Sequence, residues 1–170
     1  MKGSGMDLND RLLGHDRDMT FHLLSLCHDL TDEQWDREFD IGHRTLRETF
    51  SHMISSTNFW EGCMTGAPED MEFEDKTLHD LERDHRAVYQ RFETFARSVI
   101  ADGRLDDHFE DVWQVQRSFG ATILHVILHN HLHRNDALHI LQRLGKENLP
   151  EGDPLEWEGQ LRADRPLSPA

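Results

Sequence analysis

Lysine is almost missing from this chain of 170 residues: only Lys2, Lys76 and Lys146 occur, so its 18 basic residues are nearly all arginine, against 33 acids. The formal charge of -15 repels polyphosphates, and nucleic acid is not an expected partner. Long apolar runs are missing as well. Only 36% of the residues are apolar and no stretch approaches the roughly 20 needed to cross a bilayer, so no membrane span is expected. Cysteine is reduced to Cys27 and Cys63, with neither a CxxC pair nor a spaced disulfide framework, which fits a reducing, cytoplasmic setting. No strand signal of useful length, internal repeat or low-complexity tract appears. The opening MKGSG has no apolar core of a signal peptide and reads as a leader outside the fold.

What remains is a helical pattern. From Leu8 to Leu30 the residues Leu12, Met19, Leu23, Leu26 and Leu30 recur at intervals of three, four or seven, predicting a first helix with one buried face. Thr31-Asp32-Glu33-Gln34 is a capping-box sequence and predicts a short helical turn over Glu33 to Arg37. A second capping box, Thr45 with Glu48, opens a second helix with the stripe Leu46, Phe50, Met53, Thr57 and Trp60, stopped by Gly66-Ala67-Pro68. Thr77 with Asp80 starts a third, carrying Leu78, Leu81, His85, Val88, Phe92, Phe95 and Val99 up to Gly103. Residues 104–116 form a connection too long for a simple turn, expected to pack over an end of the bundle. The fourth helix runs from Ser118 to Leu144 with Gly145 behind it, on a stripe of Phe119, Ile123, Val126, His133, Ala137, Ile140 and Leu144. A second stripe, Leu124, Leu128 and Leu138 beside Ile127, calls for a second packing partner, and a homodimer is expected. The prediction is all-α: a four-helix bundle domain over residues 6–148, and a C-terminal tail over 149–170 that packs on or trails from it, with Leu155 and Trp157 as its anchors.

Histidine is in excess, with 13 copies. On the fourth helix His129 and His133 are four residues apart, so both imidazoles project from one face, the spacing that lets two side chains share a metal ion. His133 falls inside the apolar stripe and His129 at its edge, so both point inward, where unbonded imidazoles are costly. A ligand pair and a pair of hydrogen-bonded core histidines both meet that requirement. His125, His131 and His139 project elsewhere, although His125 pairs with His129 at the same spacing. On the second helix His52 stands beside the main stripe, with Thr49, Ser56, Phe59 and Cys63 as companions. It is either a third ligand or a boundary histidine bonded to a carbonyl. Glu82 and His85 make one Glu-x-x-His unit, and a diiron bundle needs two; no second occurs. His85 reads as a bonded core or pocket histidine. Neither cysteine has a nucleophile motif, and Trp60 can wall a pocket as well as fill the core.

Two blocks carry a family resemblance. Thr45-Leu46-Arg47-Glu48-Thr49-Phe50-Ser51-His52-Met53, followed by Trp60, is similar to the second-helix segment of the DinB/YfiT-like four-helix-bundle metalloenzymes. Leu124-His125-Val126-Ile127-Leu128-His129-Asn130-His131-Leu132-His133-Arg134-Asn135-Asp136, closed by Leu141-Gln142-Arg143-Leu144-Gly145, resembles the fourth-helix signature of the same family. The likeness covers nearly the whole chain. Leu132 stands where many members have another histidine, and Asn135-Asp136 replaces the usual Gly-Gln, which alters the groups around the site. The resemblance implies a divalent metal held by His52, His129 and His133.

Three neutral imidazoles leave an ion its full charge and an open position, the arrangement of a catalytic site. Nitrogen-rich ligation suits zinc or nickel, with iron(II) as a further option. The resemblance, whose characterised members include thiol transferases and a mycothiol-dependent isomerase, implies activation of a low-molecular-weight thiol or of water for transfer or hydrolysis of a small-molecule substrate. Arg134 or Asn130 is placed to orient a ligand, and no catalytic base is named. Two further readings stand: a non-catalytic metal-binding or stress-associated protein, distinguished by a filled fourth ligand position, and a dimeric bundle whose histidines are compositional.

Overall fold

The computed structural model describes residues 5–68 and 76–163. Met1–Ser4 of the leader, and Pro166 and Pro169 of the tail, lie outside the described residues. Caps start the helices where the side chains offer them. Asp7 and Asp10 form a reciprocal capping box that opens α1 (Leu8–Ser25), and Thr31 with Gln34 does the same for the single turn α2 (Asp32–Trp35). Thr45 caps α3 (Leu46–Thr65) through the Glu48 amide. The reciprocal bond is missing there because the Thr45 amide donates to the His43 carbonyl at 2.9 Å, leaving the Glu48 carboxylate to accept from the Thr45 hydroxyl. Thr77 and Asp80 complete a box at α4 (Leu78–Ala101), and Ser118 caps α5 (Phe119–Arg143). Gly66, at φ 78°, ends α3 in the left-handed conformation that glycine adopts without steric cost.

The long helices close into a bundle in which α3 packs on α4 and α5, and α1 on the same two, so α1 and α3 lie on one diagonal. Two apolar clusters fill it. One gathers Leu23, Leu24, Phe50, Met53, Ile54, Leu81, Ile140 and Leu141 around Trp35 stacked on Phe50; the other gathers Leu13, Tyr89, Phe92, Val99, Phe119, Ile123 and Val126. Between them in sequence, on α1, α3 and α5, lie buried polar groups. Arg134 pairs with Asp16, and both side chains are almost wholly enclosed. Arg134 also donates to the Thr20 hydroxyl at 3.1 Å, and the Asn130 amide donates to Asp16 at 3.0 Å and to Thr57 at 3.3 Å.

Several expectations are corrected. The first helix stops at Ser25, not Leu30: Cys27, His28 and Leu30 bond carbonyls three residues back, a tighter winding that still packs Leu26 and Leu30 on the core. Its buried face holds the expected Met19 and Leu23 together with Leu13 and Leu24, while Leu12 is 36% exposed. The 104–116 connection holds a small antiparallel hairpin, β1 (His108–Glu110) with β2 (Gln116–Ser118), whose Phe109 stacks on Phe119. The tail forms α6 (Pro154–Ala163), and only one of its two expected anchors holds. Trp157 is buried while Leu155 is 82% exposed. The Trp157 ring lies against Gly14 of α1, where a Cβ would stand 3.1 Å away, and its indole donates to Asp18 at 3.1 Å. His15 bonds the Gly152 carbonyl at 3.0 Å, and Leu138 packs near Gly152, so part of the second stripe of α5 is served by the chain itself. Among the described residues no helix is long and apolar enough to cross a membrane.

Removing one partner of an enclosed ion pair strands the other. Arg134→Met should lower stability by about 3–5 kcal/mol, read as a fall in the urea midpoint, whereas an effect under ~1 kcal/mol would mean that Asp16 is solvated in solution.

Candidate metal centre

The groove between α3 and α5 gathers histidines from three segments. α3 supplies His52, α5 supplies His129 and His133 one turn apart, and the connection between α2 and α3 supplies His43. Ring centres stand 4.9 Å apart for His52 and His129, 4.8 Å for His52 and His133, and 4.5 Å for His129 and His133. The three residues expected from the sequence are therefore neighbours in space. Nε2 of His52 and Nε2 of His129 are 3.0 Å apart. Two imidazoles bound to one ion at 2.0–2.1 Å have nitrogens about 2.9–3.4 Å apart and ring centres about 4.4–5.1 Å apart, for bond angles between a right angle and the tetrahedral value. The triad fits.

His43 is the residue that sequence reasoning missed. Its ring lies 3.8 Å from that of His52 at a 30° tilt and 5.0 Å from that of His133. With His52 and His133 it places ring nitrogens within 4.8 Å of one another. The first of these separations is shorter than two ligands of one ion adopt, so His43 stacks on His52 here. It sits between Gly42 (φ 44°) and Arg44 (φ 73°), two left-handed residues that reverse the chain and turn the imidazole back to the groove. A loop histidine has no helical period to betray it; the only sequence signal was its place just before the cap of a helix bearing His52.

Asp136 is the other late arrival. Nδ1 of His133 lies 3.1 Å from its carboxylate, a pairing that favours the tautomer with the proton on Nδ1 and Nε2 as the ligand nitrogen. The carboxylate rests against Gly42, where a Cβ would come within 2.5 Å of its oxygen. Arg134 serves α5 differently from expectation, because it is turned to Asp16 on α1, whereas Asn130 donates to Asp16 and also hydrogen-bonds His129.

Burial first, and then the neighbouring rings, push the imidazoles of His52 and His129 from 6.5 down to about 4, so both are neutral at neutral pH, the state that binds metal. His43 is lowered for the same leading reason. His125 lies 5.5 Å from His129 on the outer side, against Trp60, and extends the row without joining the cluster. His85 is buried and bonded to the Arg17 carbonyl at 3.0 Å, while Glu82 pairs with His28 at 2.8 Å, so that unit does not face the groove. Burial raises the Cys27 thiol to about 12 and that of Cys63 above its usual value, so neither is a ready nucleophile.

The DinB family model matches residues 6–159. The chain belongs to the DinB family. No curated protein matches it. The DinB match covers all four histidines as well as Asp136, and a histidine cluster able to hold a metal ion lies where α3 and α5 of this DinB chain meet.

Two outcomes follow for this DinB protein. Because Asp136 holds His133, Asp136→Asn and Gly42→Ala should each weaken zinc binding about 10- to 100-fold, measured by chelator competition; unchanged affinity in both would remove Asp136 from the site. His52, His129, His15 and His85 all sit below their ordinary value. The unfolded chain then takes up their protons first as the pH falls. In metal-free protein, stability is complete above about pH 6.5 and declines towards pH 4, so the urea midpoint should be clearly lower at pH 5 than at pH 7.5.

Proposed function

We propose that this chain is a divalent-metal-dependent enzyme in which His52, His129 and His133 hold the ion and a small molecule reacts in the groove between α3 and α5. The observation that carries this reading is the convergence of three imidazoles from two helices, at separations compatible with one shared ion, with burial keeping His52 and His129 uncharged. Neutral ligands leave the full charge of an ion unspent. When bound, a divalent ion supplies the Lewis acidity that makes a thiol or a water nucleophilic at neutral pH. The chain's own groups do the rest: Asp136 favours the ligating tautomer of His133, and the Asp16 and Arg134 pair fixes the rotation of α5, so that both of its ligands face His52. An all-nitrogen donor set favours zinc or nickel, with iron(II) next. A low-molecular-weight thiol is the co-substrate we favour, on the strength of the family resemblance.

The test is elemental mass spectrometry on untagged protein purified without metal-affinity resin. Close to one ion per chain is expected in the wild type, and its loss in both His52→Ala and His133→Ala. Folded wild type that arrives metal-free and cannot be loaded would overturn the reading.

A second reading, a closed and non-catalytic metal site, is favoured by one feature: His43 brings a fourth imidazole to the cluster. The visible spectrum of the cobalt(II)-substituted protein separates the two. His43→Ala leaves it unchanged if three histidines ligate, and alters its intensity and position if His43 is a ligand. The homodimer we infer would use Leu124, Leu128 and Leu132, a row on α5 that is 48%, 52% and 64% exposed. Sedimentation equilibrium should give twice the chain mass, and Leu128→Glu should return it to one.

A further inference from the structure

One turn along α5 from the cluster lies a cavity of about 280 Å³ lined by Trp60, Arg117, Ala121, Thr122 and His125. Through Trp60 the cavity adjoins an aromatic cluster. Trp60 meets Phe59 at 5.4 Å and Trp113 at 6.1 Å, and His125 edge-on at 5.4 Å. Trp113 comes from the hairpin and is 62% exposed, an apolar surface that the folded chain leaves uncovered.

Arg117, at the far end, is held rather than free to swing. Its Nε donates at 2.9 Å to Asp111, whose side chain is fully enclosed and also accepts from the amides of Trp113 and Val115 at 2.9 and 3.0 Å. No protein acceptor engages the two terminal nitrogens among the described residues. A guanidinium anchored on one edge and open on the other is preorganised for a planar anion. The other acids nearby are spent: Glu61 pairs with Arg91 at 3.4 Å, and Glu110 accepts from Gln116 at 3.2 Å. The charge of -15 across the chain disfavours an occupant with several negative charges.

We infer that this cavity is a binding subsite for a small monocarboxylic acid with a flat or aliphatic body, the body lying on Trp60 and Trp113 and the carboxylate received by Arg117. A lining of aromatic area with one oriented charged group is how compact ligand pockets combine affinity with selectivity. His125 joins the subsite to the cluster, since its ring touches Trp60 on one side and His129 on the other. The subsite therefore selects the substrate of the metal reaction, a role that rests on the reading given under Proposed function; binding of the acid does not.

The test separates the two. Metal-free full-length protein is titrated calorimetrically with 3-phenylpropanoate, 3-phenylpropanamide and 3-phenylpropylamine, which share a body and differ in the head. The acid should bind at least ~10-fold more tightly than the amide, as a charge-assisted hydrogen bond predicts, and the amine more weakly than either. Arg117→Gln should bring acid and amide to the same affinity. Ala121→Phe, which fills the cavity from an exposed position without touching the core, should weaken both by ~10-fold or more. Equal binding of acid and amide by the wild type, no binding of either, or full acid preference in Arg117→Gln would each overturn the subsite. If zinc cannot be loaded but the acid preference holds, the metal reading falls and the subsite stands.

Discussion

The structure depends on a charged pair that water does not reach. Asp16 on α1 and Arg134 on α5 face each other inside the bundle, with Thr20, Asn130 and Thr57 taking up further hydrogen bonds. Such a pair is a weak source of net stability, but it tolerates little misalignment, because any shift leaves a charge stranded. It therefore sets the rotation of α5. Arg134 and Asn130 each follow a candidate ligand by one residue, about 100° around the helix, so turning them towards α1 turns His133 and His129 towards α3. The alignment of the histidine cluster is a consequence of the polar layer behind it.

A second constraint is local. The connection from α2 to α3 reverses through Gly42 and Arg44, both left-handed, and the glycine has no side chain to obstruct Asp136. One carboxylate thus steadies His133 and packs on the loop that presents His43. The Asn135-Asp136 pair thereby gains a physical role in this chain: its acid supports His133 from the same helix.

α5 works on three sides, which explains how much of it could be read in advance. Its inward stripe and its i, i+4 histidines follow helical periodicity and were legible, as were the caps at Thr31, Thr45 and Thr77. The second apolar stripe was visible, but its partners were not. Leu138 packs near the chain's own tail, while Leu124 and Leu128 stay in solvent. The hairpin escaped notice because three-residue strands are too short to establish a period. Tail helix α6 escaped because its docking rests on Gly14, His15 and Asp18 of a distant segment.

By itself the sequence determined the four long helices, the caps at Thr31, Thr45 and Thr77, and the inward direction of His129 and His133, and its resemblance to DinB proteins pointed to His52 as their neighbour. Each of these is a property of residues close together in the chain or of a pattern within one helix. Tertiary structure alone decided that His43 joins the cluster, that Asp136 holds His133, that Arg134 turns to Asp16 instead of to a ligand, and that Trp60, Arg117 and His125 wall one cavity. Those relations join residues far apart along the chain, and no local periodicity records which distant side chains a packed core will bring together.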